Sequence, residues 1–292
     1  MPDERKLCRI TIITACLNAA GTIEETIRSV LDQNYPNLEY IVIDGGSTDG
    51  TMEVVEKYRK RLTYVVSEPD KGIYDAFNKG LCWATGEVVG ILNADDQYVP
   101  GVFKKIAREY EKNPDGDVFY GRLVILDPRC HRWKTYALGD HTRMTVAMSI
   151  PHPACFVTKK AYQKHGFFDS SFKISGDWDF MLRLYLNKAL FRPIDEVLSF
   201  FLNSGISSKN SEEMLQENIA LLYKNLPSTQ ALSVAKRLKH RYRFRESLLK
   251  FHLCSLYEFI RDTFLLKPQA SGTYKNVSDI WKFLNESEKY HV

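Results

Sequence analysis

Two adjacent carboxylates, Asp95 and Asp96, follow a strand-like run in the segment Asn93-Ala94-Asp95-Asp96. Carboxylate oxygens are hard ligands that suit Mg²⁺ or Mn²⁺, and these ions keep much of their coordination shell for water and phosphate oxygens. The pair therefore predicts a divalent-metal site. A solvated turn that caps a helix near Pro100 is the alternative, and the two acids alone do not decide between these interpretations.

A glycine-rich turn begins at another carboxylate, Asp44, and runs to Thr51 as DGGSTDGT. Glycines let a backbone approach a ligand closely, and a carboxylate there can accept hydrogen bonds from a base N–H or a ribose hydroxyl. An ordinary strand-to-helix turn capped by Asp49 is the alternative. The motifs GxGxxG and GxxxxGK(S/T) do not occur in the sequence, which argues against an NAD-type dinucleotide site and a P-loop.

The elements that position these acids are strand-like and helix-like runs, which alternate over the first 200 residues. This rhythm predicts an α/β fold with a mixed, mainly parallel sheet flanked by helices. Ligands of such sheets bind beyond the carboxyl ends of the strands, so Asp44 and the 93–96 segment are predicted to share one cleft. The predicted strands of this part lie at residues 9–14, 38–44, 62–66 and 87–92.

The domain organisation follows from the loss of the strand signal after Pro227. The sequence predicts a first domain over residues 1–226. It predicts a basic, amphipathic, helical C-terminal extension over residues 227–292.

The C-terminal extension carries seven Lys or Arg side chains between Lys236 and Lys250, opposed only by Glu246. One interpretation is a solvated helix face whose apolar side packs inward. The other is peripheral membrane association through residues 236–265, at the inner face of the membrane, with basic and apolar faces on anionic lipid. Nucleic acid is not expected as a partner, because no recognised binding motif accompanies the charge.

The overall composition of the 292 residues is 44% hydrophobic and 26% charged, which excludes wholesale disorder, a collagen-like fibre and a coiled-coil rod. No apolar run reaches the ~18–20 residues of a membrane helix, and the N-terminus has no apolar stretch of signal-peptide length. The six cysteines form no CxxC pair and no zinc-like cluster, which favours reduced thiols and a cytoplasmic location. A net charge of +4 is too small to indicate a nucleic-acid partner.

Six segments occur in one order and together carry a family resemblance. They are IITACLN at 12–18, IDGGSTDGT at 43–51, EPDKGIYDAFNKG at 68–80, ATGE at 84–87, LNADD at 92–96 and GDWD at 176–179. With these segments the chain resembles the family 2 glycosyltransferases of GT-A fold, and within them the bacterial enzymes of O-antigen, capsule and exopolysaccharide assembly. The resemblance covers roughly residues 8 to 210.

The resemblance implies transfer of a sugar from a nucleotide diphospho-sugar, with a UDP-sugar favoured, to a saccharide or lipid-linked hydroxyl with inversion. It implies hexosyl or hexosaminyl transfer assisted by Mg²⁺ or Mn²⁺. It assigns the donor site to Thr14 and Asn18 near the base, Asp44 on the base, Lys71 and Asp75 over the nucleotide, and Asn93, Ala94 and Asp95 at the DXD position, with Asp95 on the metal.

The same resemblance makes Asp177 the catalytic base. Inverting transfer needs one carboxylate that takes the proton of the acceptor hydroxyl, and a cation that neutralises the departing diphosphate. Capping of the helix that follows is the structural alternative for Asp177. His152 and Trp178 are candidates for acceptor-side contacts, and each has a structural alternative, as a hydrogen-bonded histidine and as a core tryptophan.

Two departures from the family pattern bear on the function. Asn93 replaces the first acid of DXD and removes a negative charge from the metal site, and Leu17 stands where many members carry an aromatic side chain that stacks on the base. Asn93 motivates one alternative, a catalytically decayed nucleotide-sugar-binding protein. The other alternative is a sugar-phosphate nucleotidyltransferase, although a GGxGTRL-like segment is missing from the first strand. The sequence makes no prediction of oligomeric state.

Overall fold

The first half of the sheet is built from short, apolar, buried strands. The computed structural model describes residues 7–128, 130–203, 211–250, 268–274, 277–280 and 282. These strands are parallel in the spatial order β4-β1-β2-β3, as the alternation predicts. Their bounds are β1 (Ile10–Cys16), β2 (Leu38–Asp44), β3 (Tyr64–Ser67) and β4 (Val88–Asn93).

The second half makes the sheet mixed. β8 pairs antiparallel with both β4 and β6, and β7 and β10 continue antiparallel to the far edge, whereas β9 runs parallel to β6. The predicted mixed sheet is confirmed, but its parallel part is confined to the first four strands and the β6–β9 pair. The bounds are β5 (Gln97–Tyr98), β6 (Val118–Asp127), β7 (Arg132–Tyr136), β8 (Cys155–Thr158), β9 (Phe191–Leu202) and β10 (Pro268–Thr273).

The helices cover both faces of this sheet. Successive residues of β1 divide between two apolar cores, because side chains alternate across a strand: Ile12 packs in one core and Ile13 in the other. The helices are α1 (Ile23–Leu31), α2 (Thr51–Glu56), α3 (Ile73–Trp83), α4 (Val102–Lys112), α5 (Lys159–His165), α6 (Gly176–Leu186), α7 (Ser211–Asn225) and α8 (Ser228–Lys250). Helices α1, α2 and α4 pack on the Ile12 side, and α3 and α5–α8 pack on the Ile13 side.

The C-terminal extension departs from its prediction at β10. Residues Pro268–Thr273 pair with β7 and so add a strand to the sheet, where the sequence predicts only helix. Ala231 and Val234 of α8 pack in the same core as α7. None of the helices in the described part combines the length and the apolar character needed to cross a membrane. Residues 251–265 of the predicted lipid-binding stretch lie outside the described residues.

The ATGE segment lies at the amino edge of the sheet, away from the predicted cleft. Glu39 is buried there and accepts hydrogen bonds from Thr11 Oγ1 (2.5 Å), Thr85 N (2.7 Å) and Thr85 Oγ1 (2.7 Å). Burial would raise the pKa of Glu39, but these hydrogen bonds outweigh it and lower the pKa. A Cβ on Gly86 would lie 2.6 Å from Thr11 Oγ1. The segment therefore joins the first strands to the end of α3.

Candidate active site

Asp44 ends β2 and organises the loop that follows it. Its carboxylate accepts hydrogen bonds from Ser67 Oγ (2.7 Å), Ser47 N (3.0 Å), Gly46 N (3.2 Å) and the Ser47 hydroxyl. Burial favours the neutral acid, but the hydroxyl and backbone donors outweigh it and hold the pKa of Asp44 below its ordinary value. The residue is fully buried, and its carboxylate holds the glycine-rich turn in place through these hydrogen bonds.

The loop after β1 is tied to that turn by Asn18. Its backbone N–H donates to Ser47 Oγ (2.8 Å), and its side-chain Oδ1 accepts from Thr48 N (3.0 Å). Asn18 has a φ of 51°, a left-handed conformation that asparagine tolerates. Thr14 lies four residues earlier, in β1. It is fully buried, and its hydroxyl lies 3.1 Å from the Tyr40 hydroxyl. Asn18 therefore lies at the carboxyl edge, whereas the Thr14 side chain lies within the core.

The 68–80 segment supplies the start of α3. The Asp75 carboxylate accepts a hydrogen bond from the Lys71 backbone N–H (3.1 Å) and lies 3.8 Å from the Lys79 ammonium. Lys79 also pairs with Glu68 at 2.8 Å. The Lys71 side chain is exposed. Asp75 is thus bound to its own helix start, and Lys71 is a cation presented to solvent beside it.

The end of β4 carries the four polar or small residues of the predicted metal site. Asn93 is half-buried, and none of the described residues forms a hydrogen bond with its Oδ1 atom. Asp95 is half-buried and lines a cavity of 210 Å³ together with Thr22 and Glu25 of the α1 end and Gln97. The small side chain of Ala94 is buried between them. Asn93 and Asp95 therefore lie at the carboxyl edge of the sheet, as predicted.

Asp96 occupies a different environment from Asp95. It is fully buried, and its Oδ1 atom accepts a hydrogen bond from Leu202 N (3.1 Å). Within the described part of the chain, its Oδ2 atom has no hydrogen-bond partner. Burial, with the neighbouring charge of Asp95, raises the pKa of Asp96 well above its ordinary value. Its backbone oxygen accepts from Thr26 Oγ1 (2.8 Å). This location favours a role in joining β4 to β9 and α1 over the metal-ligand role that the sequence predicts.

Asp177 lies in the first turn of α6 and has the character of a general base. Its Oδ1 atom accepts a hydrogen bond from Trp178 N (2.8 Å), and the Tyr74 hydroxyl, which donates to the Ile174 backbone oxygen (2.7 Å), lies 3.4 Å from the same atom. Among the described residues, no hydrogen bond reaches Oδ2. Burial raises the pKa of Asp177 from 3.8 to about 6. One oxygen is thereby fixed, while the other is left to take a proton near neutral pH. Ser175, and not Asp177, is the N-cap of α6.

Asp177 and the end of β4 lie at the same edge of the sheet. The short 3₁₀ turn at His152–Ala154 packs against β4, β6 and β9, and leads directly into β8. Because β8 is antiparallel to β4, its first residue, Cys155, lies toward the carboxyl end of β4. The Tyr74 hydroxyl lies 3.4 Å from Asp177 Oδ1, and Tyr74 is in the first turn of α3, which begins after the carboxyl end of β3. This contact places Asp177 at the carboxyl edge of the parallel strands.

Comparison with known proteins decides the family. The model of the family described as glycosyl transferase family 2 matches residues 11–171, which is more than half of the chain. The chain belongs to glycosyl transferase family 2. A PGL/p-HBAD biosynthesis glycosyltransferase of Mycobacterium bovis is 29% identical to it over 184 residues, which cover 62% of this chain and 71% of the relative.

Solved structures share the GT-A fold of this family 2 glycosyltransferase. S. aureus TarS 1–349 in complex with UDP-GlcNAc has a TM-score of 0.64 at 19% identity, over 83% of this chain and 75% of that chain. A longer TarS chain is covered to 43%. The mannosyltransferase PcManGT from Pyrobaculum calidifontis, in complex with GDP-Man and Mn²⁺, has a TM-score of 0.55 at 19% identity, over 89% of this chain and 82% of that chain.

The donor set for a cation in this glycosyltransferase is small. Across the described ranges, no group of three or more His, Cys, Asp or Glu side chains could hold a metal ion. Two oxygen donors at the end of β4 are the Asp95 carboxylate, which lines the cavity, and the Asn93 Oδ1 atom, for which the described residues offer no hydrogen-bond donor. They fit an ion such as Mg²⁺ or Mn²⁺, which takes its remaining ligands from water and a diphosphate.

In the glycosyltransferase His152 is half-buried against aromatic side chains, and Trp178 is buried. The His152 ring stacks on Phe77 with centroids 5.7 Å apart and meets Phe168 edge-on at 5.8 Å. Burial lowers the pKa of His152 to about 4, so the imidazole is neutral at neutral pH. Trp178 is 3% exposed and donates from Nε1 to the Met144 backbone oxygen (2.8 Å). For both residues this location favours the structural alternative.

Three residues that the sequence analysis does not single out support the segment before Asp177. The Tyr74 hydroxyl donates to the Ile174 backbone oxygen (2.7 Å), and the Asn78 amide makes two hydrogen bonds to the Phe168 backbone (2.9 and 3.0 Å). Tyr74 and Asn78 are four residues apart on one face of α3, a spacing visible in the sequence. The third residue, Glu217 of α7, follows no local pattern.

Proposed function

We propose that this glycosyltransferase transfers a hexosyl or hexosaminyl group from a nucleotide diphospho-sugar to a hydroxyl of a saccharide or lipid-linked acceptor, with inversion, in surface polysaccharide synthesis. The observation that carries the proposal is Asp177. It combines a raised pKa, one anchored oxygen and a location at the sheet edge where Asn93 and Asp95 lie.

A UDP-sugar is the favoured donor. The TarS structure, whose TM-score of 0.64 exceeds the 0.55 of PcManGT, contains UDP-GlcNAc. The PcManGT structure contains GDP-Man. Both are nucleotide diphospho-sugars, which supports this donor class. The loops after β1 and β2 are tied together by Asn18 and Asp44. These loops are proposed to hold the nucleotide base of the donor, with Lys71 and Asp75 over the nucleotide.

The mechanism proposed for Asp177 is a single displacement. Its Oδ2 atom takes the proton of the acceptor hydroxyl as that oxygen attacks the anomeric carbon, and the nucleoside diphosphate leaves from the opposite face, which inverts the configuration. Trp178 N and the Tyr74 hydroxyl keep Oδ1 in place during proton transfer. Asp95, with Asn93, would hold a divalent cation, which when bound neutralises charge on the diphosphate.

The acceptor is proposed to reach the enzyme at a membrane surface. Helix α8 presents the exposed arginines Arg237, Arg241 and Arg243, while Ala231 and Val234 pack in the core. Exposed cationic side chains attract anionic headgroups. Peripheral association through residues 236–265 would therefore bring a lipid-linked acceptor to the carboxyl edge of the sheet.

Replacement of Asp177 by Asn tests the proposed reaction. Transfer from a panel of UDP-, GDP- and dTDP-sugars is measured with Mn²⁺, and donor binding is measured by calorimetry. We expect Asp177→Asn to lower turnover by at least about 10³-fold while donor affinity stays within twofold, because the amide cannot take a proton. Asp195→Asn, at an exposed carboxylate paired with Arg122, is the control.

Three outcomes contradict the proposal. Near-wild-type turnover of Asp177→Asn would remove Asp177 as the base. Failure of the wild-type protein to bind any nucleotide-sugar would favour the decayed binding protein. Release of pyrophosphate from a nucleoside triphosphate and a sugar phosphate would favour the nucleotidyltransferase.

A further inference from the structure

The carboxylate of Glu217 binds the backbone immediately before the proposed base. Its two oxygens accept hydrogen bonds from three consecutive N–H groups: Lys173 N (2.7 Å), Ile174 N (2.9 Å) and Ser175 N (2.8 Å). Glu217 lies on α7, more than forty residues along the chain, so this contact is purely tertiary. Charged hydrogen bonds of this kind are about twice as strong as neutral ones.

The same segment is held from the other side by α3. The Tyr74 hydroxyl donates to the Ile174 backbone oxygen at 2.7 Å and lies 3.4 Å from Asp177 Oδ1. The peptide of Ile174 is thus bound through its N–H by Glu217 and through its oxygen by Tyr74. Because Asp177 follows three residues later, these two contacts set the position of its carboxylate.

Electrostatics give Glu217 a second effect on Asp177. Asp177 lies in the first turn of α6, where the free N–H groups of the helix carry partial positive charge and stabilise an anion. Such stabilisation weakens a base. The negative charge of Glu217, placed on the N–H groups next to the helix start, opposes it. Among the described residues, the titratable groups that interact electrostatically with Asp177 are the Tyr74 hydroxyl of α3, 3.4 Å from Oδ1, the Cys155 thiol of β8 and the Glu217 carboxylate of α7.

We propose that Glu217 is a positioning residue for the transfer reaction, which clamps the 173–175 segment that leads into Asp177 and offsets the positive end of α6. The proposal rests on the proposed role of Asp177 as the base. Burial is the main cause of the raised pKa of Asp177, and the charge of Glu217 adds to it. Helix α7 therefore supports the proposed site together with α3, which carries Tyr74, and α6, which carries Asp177.

The test compares Glu217→Gln with Glu213→Gln. Glu213 lies one turn earlier on α7 and pairs with the Lys173 side chain at 3.3 Å, so its change removes an equal charge near the same segment. We expect the acid limb of the kcat/KM profile to move to lower pH by on the order of one unit in Glu217→Gln. We expect kcat at the plateau to fall roughly tenfold, because the base is less well held. Glu213→Gln keeps the wild-type limb and plateau.

A second variant and a spectroscopic readout separate the effect of the Glu217 charge from its effect on the position of Asp177. Glu217→Asp retains the charge on a shorter side chain, so we expect the wild-type acid limb with a reduced kcat. Carbon-13 NMR of labelled aspartate, assigned by Asp177→Asn, follows the titration of Asp177 without any turnover.

Each outcome supports or overturns the proposed role of Glu217. An unshifted Asp177 titration in Glu217→Gln, or a wild-type kcat in Glu217→Asp, would overturn the role of Glu217. Both results are read against Asp177→Asn: if that variant turns over normally, the proposed base is wrong, and the failure does not lie with Glu217.

Discussion

The Asp177→Asn variant should be more stable than the wild type at pH 8, although the proposed mechanism predicts that it does not turn over. The native fold holds an ionised Asp177 at a cost, because burial raises its pKa from 3.8 to about 6. At ~1.36 kcal/mol per pH unit, this difference corresponds to about 3 kcal/mol of lost stability, and partial exposure of the residue to solvent reduces it to about 2–3 kcal/mol. Asparagine removes the charge, and its Oδ1 atom can still accept from Trp178 N and the Tyr74 hydroxyl.

The sign of the pH dependence follows from the raised pKa. Above pH 6 Asp177 is ionised in both the native and the unfolded protein, so the whole cost is present. Between pH 6 and 3.8 the native carboxyl is protonated first, and the cost falls. We therefore expect the advantage of Asp177→Asn to be full at pH 8, about half as large at pH 5, and nearly gone at pH 4.

Urea unfolding at pH 8 and pH 5, followed by circular dichroism, measures this difference. The control is Asp195→Asn, whose side chain is 72% exposed and whose change should matter little at either pH. A loss of stability at pH 8, or a gain that does not depend on pH, would refute the reasoning that burial makes Asp177 a base at the expense of stability.

Two further predictions concern parts of the molecule outside the proposed reaction. Asp179→Ala should lower the free energy of unfolding by roughly 3 kcal/mol in urea titrations, because it removes a fully buried carboxylate that binds Arg183 and Lys224, both at 3.0 Å. Among the described residues, Arg183 then has no carboxylate partner and Lys224 keeps only Asp169. An unchanged midpoint would contradict this. Reversing Arg241 and Arg243 to Glu should weaken co-sedimentation with anionic liposomes at least about tenfold, whereas unchanged binding would count against a lipid-facing α8. The matched control reverses two other exposed cations, Arg59 and Lys60, which lie between α2 and β3.

The fold shows where local pattern suffices and where it does not. The apolar runs of β1–β4 and the helices between them predict a parallel half-sheet, because each strand is followed by a helix that returns the chain. The strand β10 has the sequence PQASGT, with no apolar alternation. It forms a strand because the edge of β7 offers unpaired backbone groups. A pairing of this kind depends on a partner more than a hundred residues away, so the sequence gives no sign of it.

The candidate site divides in the same way. Order and residue type place Asp44, Asp95 and Asp177 among the acids that follow strands or begin helices. Their chemical states are set by their surroundings. Hydrogen bonds hold Asp44 ionised, and burial makes the pKa of Asp177 rise to about 6. Asp96 lies next to Asp95 in the sequence, yet the backbone of β9 covers it.

The sequence by itself determined the family and the edge of the sheet at which the acids lie, because short motifs and strand periodicity are local properties of the chain. Only the tertiary structure decided which carboxylate can act as a base and what holds it. Burial and hydrogen bonds from distant elements fix a pKa, and Tyr74 and Glu217 reach the segment before Asp177 from two helices that local patterns do not connect.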